Sequence, residues 1–238
     1  DAPDNVTMIT ARSNSMWWSD VKSLLANKLA WLNGLYSGLL FLVVTTFVAL
    51  WGVPFLRTIY HMSLMQATWI SDMVFIGVAI ASPFIGWLDA RIERRNLLMM
   101  VCPLLCAFIM AVIVYMPGLS NADVGVLMLL LGFPLSVYVL TFVIGNEIAT
   151  PSSRTTSIGF VNTIAVGTAP LFGPLIGSVL DHPIRFSAHS LASAALAYKE
   201  AFSLFVIGLL IASAIGYLLP NRPQVASDSF VLDQETAD

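Results

Sequence analysis

Six long apolar stretches separated by short polar breaks set the pattern of this chain. They fall at about residues 31–56, 67–88, 96–116, 124–148, 155–180 and 201–219. Each approaches the roughly 20 residues that an α-helix needs to cross the hydrocarbon core of a bilayer. An amphipathic stretch precedes them. Val21, Leu24, Leu25 and Leu29 share one side of a helix over Val21 to Ala30, Lys22 and Lys28 lie elsewhere, and Ser19-Asp20 offers a cap. Such a helix rests on a membrane surface. The pattern divides the chain into a polar linker (1–16), an interfacial helix (17–30), a six-helix transmembrane domain (31–220) and a disordered acidic tail (221–238). Residues 181–200 are long enough for an extramembrane turn or a short helix rich in alanine and serine.

Composition sharpens the class. Of 238 residues, 58% are hydrophobic and 11% charged. Soluble domains carry roughly a quarter charged residues, so this chain has too little charge to cover a water-facing surface. It reads as an all-α integral membrane protein. The net charge of -3 hides an asymmetry, with acids towards the two ends and most basic residues beside apolar runs. No basic stripe points to nucleic acid. Cys102 and Cys106 lie four apart in one apolar run and read as small buried residues rather than a disulfide or metal pair. The histidines, His61, His182 and His189, have no ligand spacing, so neither metal nor cofactor is expected. The chain opens without methionine or a signal-peptide pattern and is read as a piece of a longer protein.

Orientation follows from the basic residues. With the N-terminus in the cytoplasm, Arg12, Lys22, Lys28, Arg91, Arg94, Arg95, Arg154 and Arg222 are inside, and Arg57, Arg185 and Lys199 outside. The positive-inside rule then favours both termini in the cytoplasm. An internal echo adds to this. The second stretch closes with Ser82-Pro83-Phe84-Ile85-Gly86 and reaches Asp89; the fifth closes with Gly173-Pro174-Leu175-Ile176-Gly177 and reaches Asp181. These are the second helices of two successive three-helix units, and three spans per unit invert the second copy. Inverted three-plus-three repeats are a recurring way to build secondary transporters.

The densest charge on the chain is Ser82 to Arg95, SPFIGWLDARIERR, where grease gives way to arginines within a few residues. This loop resembles the signature motif of the major facilitator superfamily. Gly86 stands at its glycine, Arg91 at its first basic position, and Arg94 and Arg95 at its final basic pair. Asp89 stands one place early, with Ala90 at the aspartate position, and Glu93 replaces the second glycine. In the family the aspartate faces the start of helix eleven. One residue is about 100° around a helix, so Asp89 meets that latch only where its helix unwinds. The runs LYSGLLFLVVTTFVALWGVPFL (Leu35 to Leu56) and GNEIATPSSRTTSIGFVNT (Gly145 to Thr163) are similar to helix seven and the ten-to-eleven turn of bacterial permeases in this superfamily. The resemblance covers about residues 17 to 220. It implies helices seven to twelve of a twelve-helix transporter of the bacterial inner membrane, partnered by an N-terminal six-helix half.

Polar residues inside the spans carry the functional expectations. A charge in hydrocarbon costs roughly 2.5 to 3.5 kcal/mol on the lenient scale. Asp72 reads either as a coupling carboxylate facing an aqueous cavity or as an interface acid paired with Arg57. Glu147 ends the fourth stretch and, by the resemblance, joins the signature-loop charges, pairing with Arg91, Arg94 or Arg154, or else it is a solvated helix end. Asn162 bonds a substrate or links helices. The resemblance makes stretches one, two, four and five line the cavity, so Tyr36, Thr45, Thr46, Tyr138, Thr141 and Asn162 are candidate cavity residues. Gly159, Gly167, Pro170, Gly173, Pro174 and Gly177 suit a helix that packs closely and bends, or one that only packs.

The implied activity is alternating-access transport of a small polar metabolite by proton-coupled symport, with efflux by antiport as the alternative. A transporter-like scaffold or sensor is a third reading. An intramembrane enzyme would need a convergent catalytic motif such as H-E-x-x-H or G-x-S-x-G, and none is present.

Overall fold

The computed structural model describes residues 14–116, 118–150, 153–180 and 191–221. Residues 1–13 of the expected linker, 181–190 of the expected extramembrane stretch and 222–238 of the expected tail lie outside them, with Arg12, Asp181, His182, Arg185, His189 and Arg222; residues 14–16, expected in the linker, are helical instead. Among the described residues every regular element is a helix. The short helix α1 (Asn14–Ala26) leads into six spans: α2 (Lys28–Ile59), α3 (Leu64–Arg91), α4 (Arg95–Tyr115), α5 (Asn121–Glu147), α6 (Arg154–Leu180) and α7 (Leu191–Leu218). All six are long and apolar enough to cross a membrane, which makes this a multi-pass membrane protein.

Local chemistry explains the ends. Ser19 and Asp20 fall inside α1 rather than capping it. The break comes at Asn27, whose side chain accepts the Leu29 N–H at 3.0 Å and starts α2. The Trp31 indole N–H donates to the Leu25 carbonyl at 2.9 Å and ties the two helices across that corner. Reciprocal capping boxes start α3 (Ser63 with Gln66) and α5 (Ser120 with Asp123). The last span begins well before residue 201. Its extra turns are the alanine-rich 191–200, which has high helix propensity and neither glycine nor proline to stop it.

Two spans depart from α geometry near their middles. α2 runs as a π-helix over Val43–Gly52, and α5 tightens into a 3-10 turn over Ser136–Val139, just after Pro134. Neighbours in sequence are not the main partners in space. α2 packs chiefly on α6, α3 on α5, and α4 on α7. Only 28% of the most apolar window of α3 and 22% of that of α6 is buried, against half or more in the other four spans, so α3 and α6 form the open flanks.

Glycine permits the closest crossings. A Cβ on Gly77 would overlap the Leu129 carbonyl, and one on Gly132 the Val74 carbonyl, so α3 and α5 touch backbone to backbone. Gly216 meets the Met99 carbonyl of α4 in the same way. In lipid, where apolar burial drives little, such contact supplies packing that larger side chains would forbid. Gly86, by contrast, has open space around it. Gly132→Val should therefore destabilise the protein by about 1–3 kcal/mol or more, while Gly86→Ala leaves its melting temperature unchanged. Thermal unfolding of both variants in lipid nanodiscs checks the contrast.

Candidate functional site

The charged node sits where α3 ends, α4 begins and α5 ends. Arg95 is the first residue of α4, and its side chain is fully buried. Its Nε donates to Asp89 Oδ1 at 2.7 Å and its Nη2 to Asp89 Oδ2 at 3.1 Å. On the other side Nη1 donates to Glu147 Oε2 at 2.5 Å and Nη2 to Glu147 Oε1 at 3.1 Å. One planar guanidinium thus forks onto two carboxylates from two different spans, a geometry that lysine cannot reproduce. The Asp89 side chain is 3% exposed and that of Glu147 29%.

Every charge in this node opposes its own helix. Arg95 stands at an N-terminus, where the helix dipole favours anions, and the two acids stand in last turns, where it favours cations. The charges are therefore held by one another. Removing one partner of a buried pair costs about 3–5 kcal/mol, mostly because the other charge is left uncompensated.

The expected partners of Glu147 are corrected here. Arg91, Arg94 and Arg154 are all exposed, and Glu147 pairs instead with Arg95, the arginine at the buried foot between α3 and α5. Arg91 lies 4.5 Å over the Trp87 ring. α3 stays helical through Asp89 to Arg91, so no unwinding re-aims that carboxylate, which turns to Arg95. Asp72 and Arg57 are both exposed, and no ion pair joins them.

Three of the six cavity candidates lie inside the helix packing. Tyr36 is buried, and its hydroxyl donates to the Met99 carbonyl of α4 at 2.9 Å. Thr141 is buried and donates to the Tyr138 carbonyl at 2.5 Å, with Ser37 Oγ 3.2 Å away. Thr46 is buried with no partner. Of the others, Thr45 is half-buried and bonds back to the Phe41 carbonyl, and Asn162 is exposed on α6. Tyr138 is half-buried in the 3-10 turn, its ring 5.8 Å from Phe41 and 6.3 Å from Phe142.

The structure adds residues that the sequence pattern passes over. Asn33 is fully buried, and its Nδ2 donates to the Thr141 carbonyl at 2.8 Å, while Ser157 donates to the Gly145 carbonyl at 2.6 Å. With Ser37 they make a polar seam between α2, α5 and α6. Asn33 stands two residues into the first apolar stretch, where a polar residue reads as a helix end. Two open grooves lie elsewhere: about 540 Å³ beside Arg57 and His61, and about 490 Å³ where Leu24 of α1 faces Phe160 of α6. Among the described residues no group of three or more His, Cys, Asp and Glu side chains could hold a metal ion.

Neither a protein-family model nor a curated protein matches the chain.

Arg95→Gln should lower stability by about 3–5 kcal/mol, since it leaves two acids facing each other at helix ends. Glu147→Gln should cost less, because that carboxylate is partly open to solvent. The triple variant Asp89→Asn, Arg95→Gln, Glu147→Gln should recover much of the loss. Melting temperatures of the set in nanodiscs check the ranking, and a triple variant no better than Arg95→Gln would count against charge compensation.

Proposed function

We propose that the chain is the six-helix half of a secondary active transporter resembling the major facilitator superfamily. The observation that carries this reading is the pattern of helix partners. An inverted three-plus-three repeat relates the first span to the fourth, the second to the fifth and the third to the sixth. Under that relation a pairing of spans one and five maps onto spans four and two, and a pairing of three and six maps onto itself. The three chief pairings, α2 with α6, α3 with α5, and α4 with α7, fit this rule. The two interrupted spans, α2 and α5, are also the first members of the two units. Interrupted helices in corresponding positions are the best pointer to a binding site near the midplane of such proteins.

The proposed mechanism is alternating access. A second six-helix half covers the open flanks α3 and α6, and the substrate site lies between the halves, beside the interruptions. Thr45 and Tyr138 are the residues of this half best placed to meet a small polar metabolite. The Asp89–Arg95–Glu147 node holds the feet of three spans together on one face, placed in the cytoplasm by the basic residues of that loop. It gates transport if Glu147 leaves Arg95 when that face opens, because only a contact made in one state biases the equilibrium. Coupling runs through protons in the symport direction, with Asp72 of α3 the candidate carboxylate. The membrane is the bacterial inner membrane.

Uptake by proteoliposomes holding the full-length parent tests this reading, under an imposed proton gradient and with labelled organic acids, sugars and amino acids. Gradient-driven uptake of one class is expected, and a protonophore should abolish it. Loss of uptake in Asp72→Asn assigns coupling to that carboxylate; unchanged uptake returns Asp72 to the interface. A folded parent that moves none of the panel overturns the transport reading in favour of a scaffold.

A further inference from the structure

Two apolar troughs lie side by side where the first and fifth spans begin. One, about 490 Å³, runs between α1 and α6, with Val21 and Leu24 on one wall and Gly159 and Phe160 on the other. The second, about 400 Å³, runs between α2 and α6, with Trp31, Leu35 and Ile164 around it. The rings of Trp31 and Phe160 meet edge to face at 5.1 Å and form the ridge between the two. The troughs are about one leaflet deep. From Thr155 to Ile164 the axis of α6 rises about 14 Å, close to half of the roughly 30 Å hydrocarbon core. No residue of α3 lines them, so they open beside α1 and α2.

Their mouth is cationic. Lys28 lines the second trough, while Lys22 follows Val21 and Arg154 precedes Thr155, both of which line the first. All three basic side chains are exposed, and none is in an ion pair among the described residues. The acids in the last turns of α3 and α5, Asp89 and Glu147, close on Arg95 instead. Two hydroxyls at the same mouth are also open. Ser157, Thr163, Thr168 and Ser178 of α6 each donate to a backbone carbonyl at 2.6–2.8 Å. Thr155 and Thr156, which line the first trough, have no such partner among the described residues.

We infer that the double trough seats an anionic phospholipid. One acyl chain lies on either side of the Trp31–Phe160 ridge, and the phosphate sits at the mouth, met by Lys22, Lys28, Arg154 and the two threonine hydroxyls. A soluble anion would use the mouth and leave the apolar walls bare, and a neutral lipid would leave the cations unmatched. The lipid joins α1 to the first and fifth spans, which are distant in sequence. This holds whether or not the chain transports anything.

The test uses the 238-residue chain in nanodiscs of mixed phosphatidylglycerol and phosphatidylcholine. Native mass spectrometry of the released protein reads which lipids stay bound. The parent should retain phosphatidylglycerol in preference to phosphatidylcholine, and excess glycerol phosphate should not displace it. Lys28→Gln and Arg154→Gln should each lower the preference about fivefold, while Lys28→Arg keeps it. Arg94→Gln removes an exposed charge at the same end of the bundle but outside the troughs, and should leave it unchanged. A Cβ on Gly159 would meet nothing within 4 Å, so a larger side chain there fills the first trough without striking the protein. Gly159→Leu should therefore lose the retained lipid and melt no lower than the parent in phosphatidylcholine alone. Equal retention of the two lipids overturns the seat. So does an Arg94→Gln effect as large as that of Lys28→Gln, or a folded Gly159→Leu chain that keeps its lipid; either leaves the troughs to a protein segment. If Gly159→Leu melts lower, the charge series decides.

Discussion

A bilayer core offers the backbone no water, so every N–H and C=O within it must find a partner in the protein. This constraint organises the structure. It makes each apolar stretch a helix and leaves helix ends and helix interruptions as the only places needing help from side chains. The ends are served by capping boxes at Ser63 and Ser120 and by Asn27. The interruptions are served from neighbouring turns and helices: Ser71 covers the Val48 carbonyl, and Thr141 that of Tyr138. Most buried hydroxyls in this protein serve backbone carbonyls, which is why Tyr36 and Thr141 are bound into the packing.

The same scarcity of solvent shapes the charged node. Three spans end together at Arg95, each bringing a charge its own helix disfavours. Alone, none of these groups would be stable there. Together they form a closed set whose hydrogen bonds fix the spacing of three helix ends. Exposed arginines nearby, Arg91 and Arg94, are free of that duty. Burial therefore divides the basic residues of one short loop into one structural arginine and a solvent-facing group.

Much of the fold was legible because its signals are local. Span limits follow from apolar length, and the observed ends fall within a few residues of those expected, except at 191–200. There an alanine-rich stretch looks like a loop to a hydropathy reading and like a helix to backbone entropy. The helix interruptions were less legible. Pro134 announces the 3-10 turn, but no residue between Val43 and Gly52 demands π geometry. The partner of Glu147 was also hidden, because four arginines lie close to it in sequence pattern and differ only in which helix end carries them and whether that end turns them inward. Asn33 was missed because its importance comes from the carbonyl of Thr141, which stands far along the chain.

That distance bears on how the protein is made. Asn33 and its acceptor on Thr141 are 108 residues apart. At about 5–20 residues synthesised per second, the first span waits about 5–20 s before its partner exists. Its pairing with α6 waits longer still. Adjacent spans cannot mature as independent hairpins, because α2 finds its main partner four helices later. During that interval the buried face of α2 must be sheltered by insertion machinery or by transient contacts with the spans that follow it. The pairing that knits the bundle together thus makes its assembly a late, nearly all-or-none event in the life of the nascent chain.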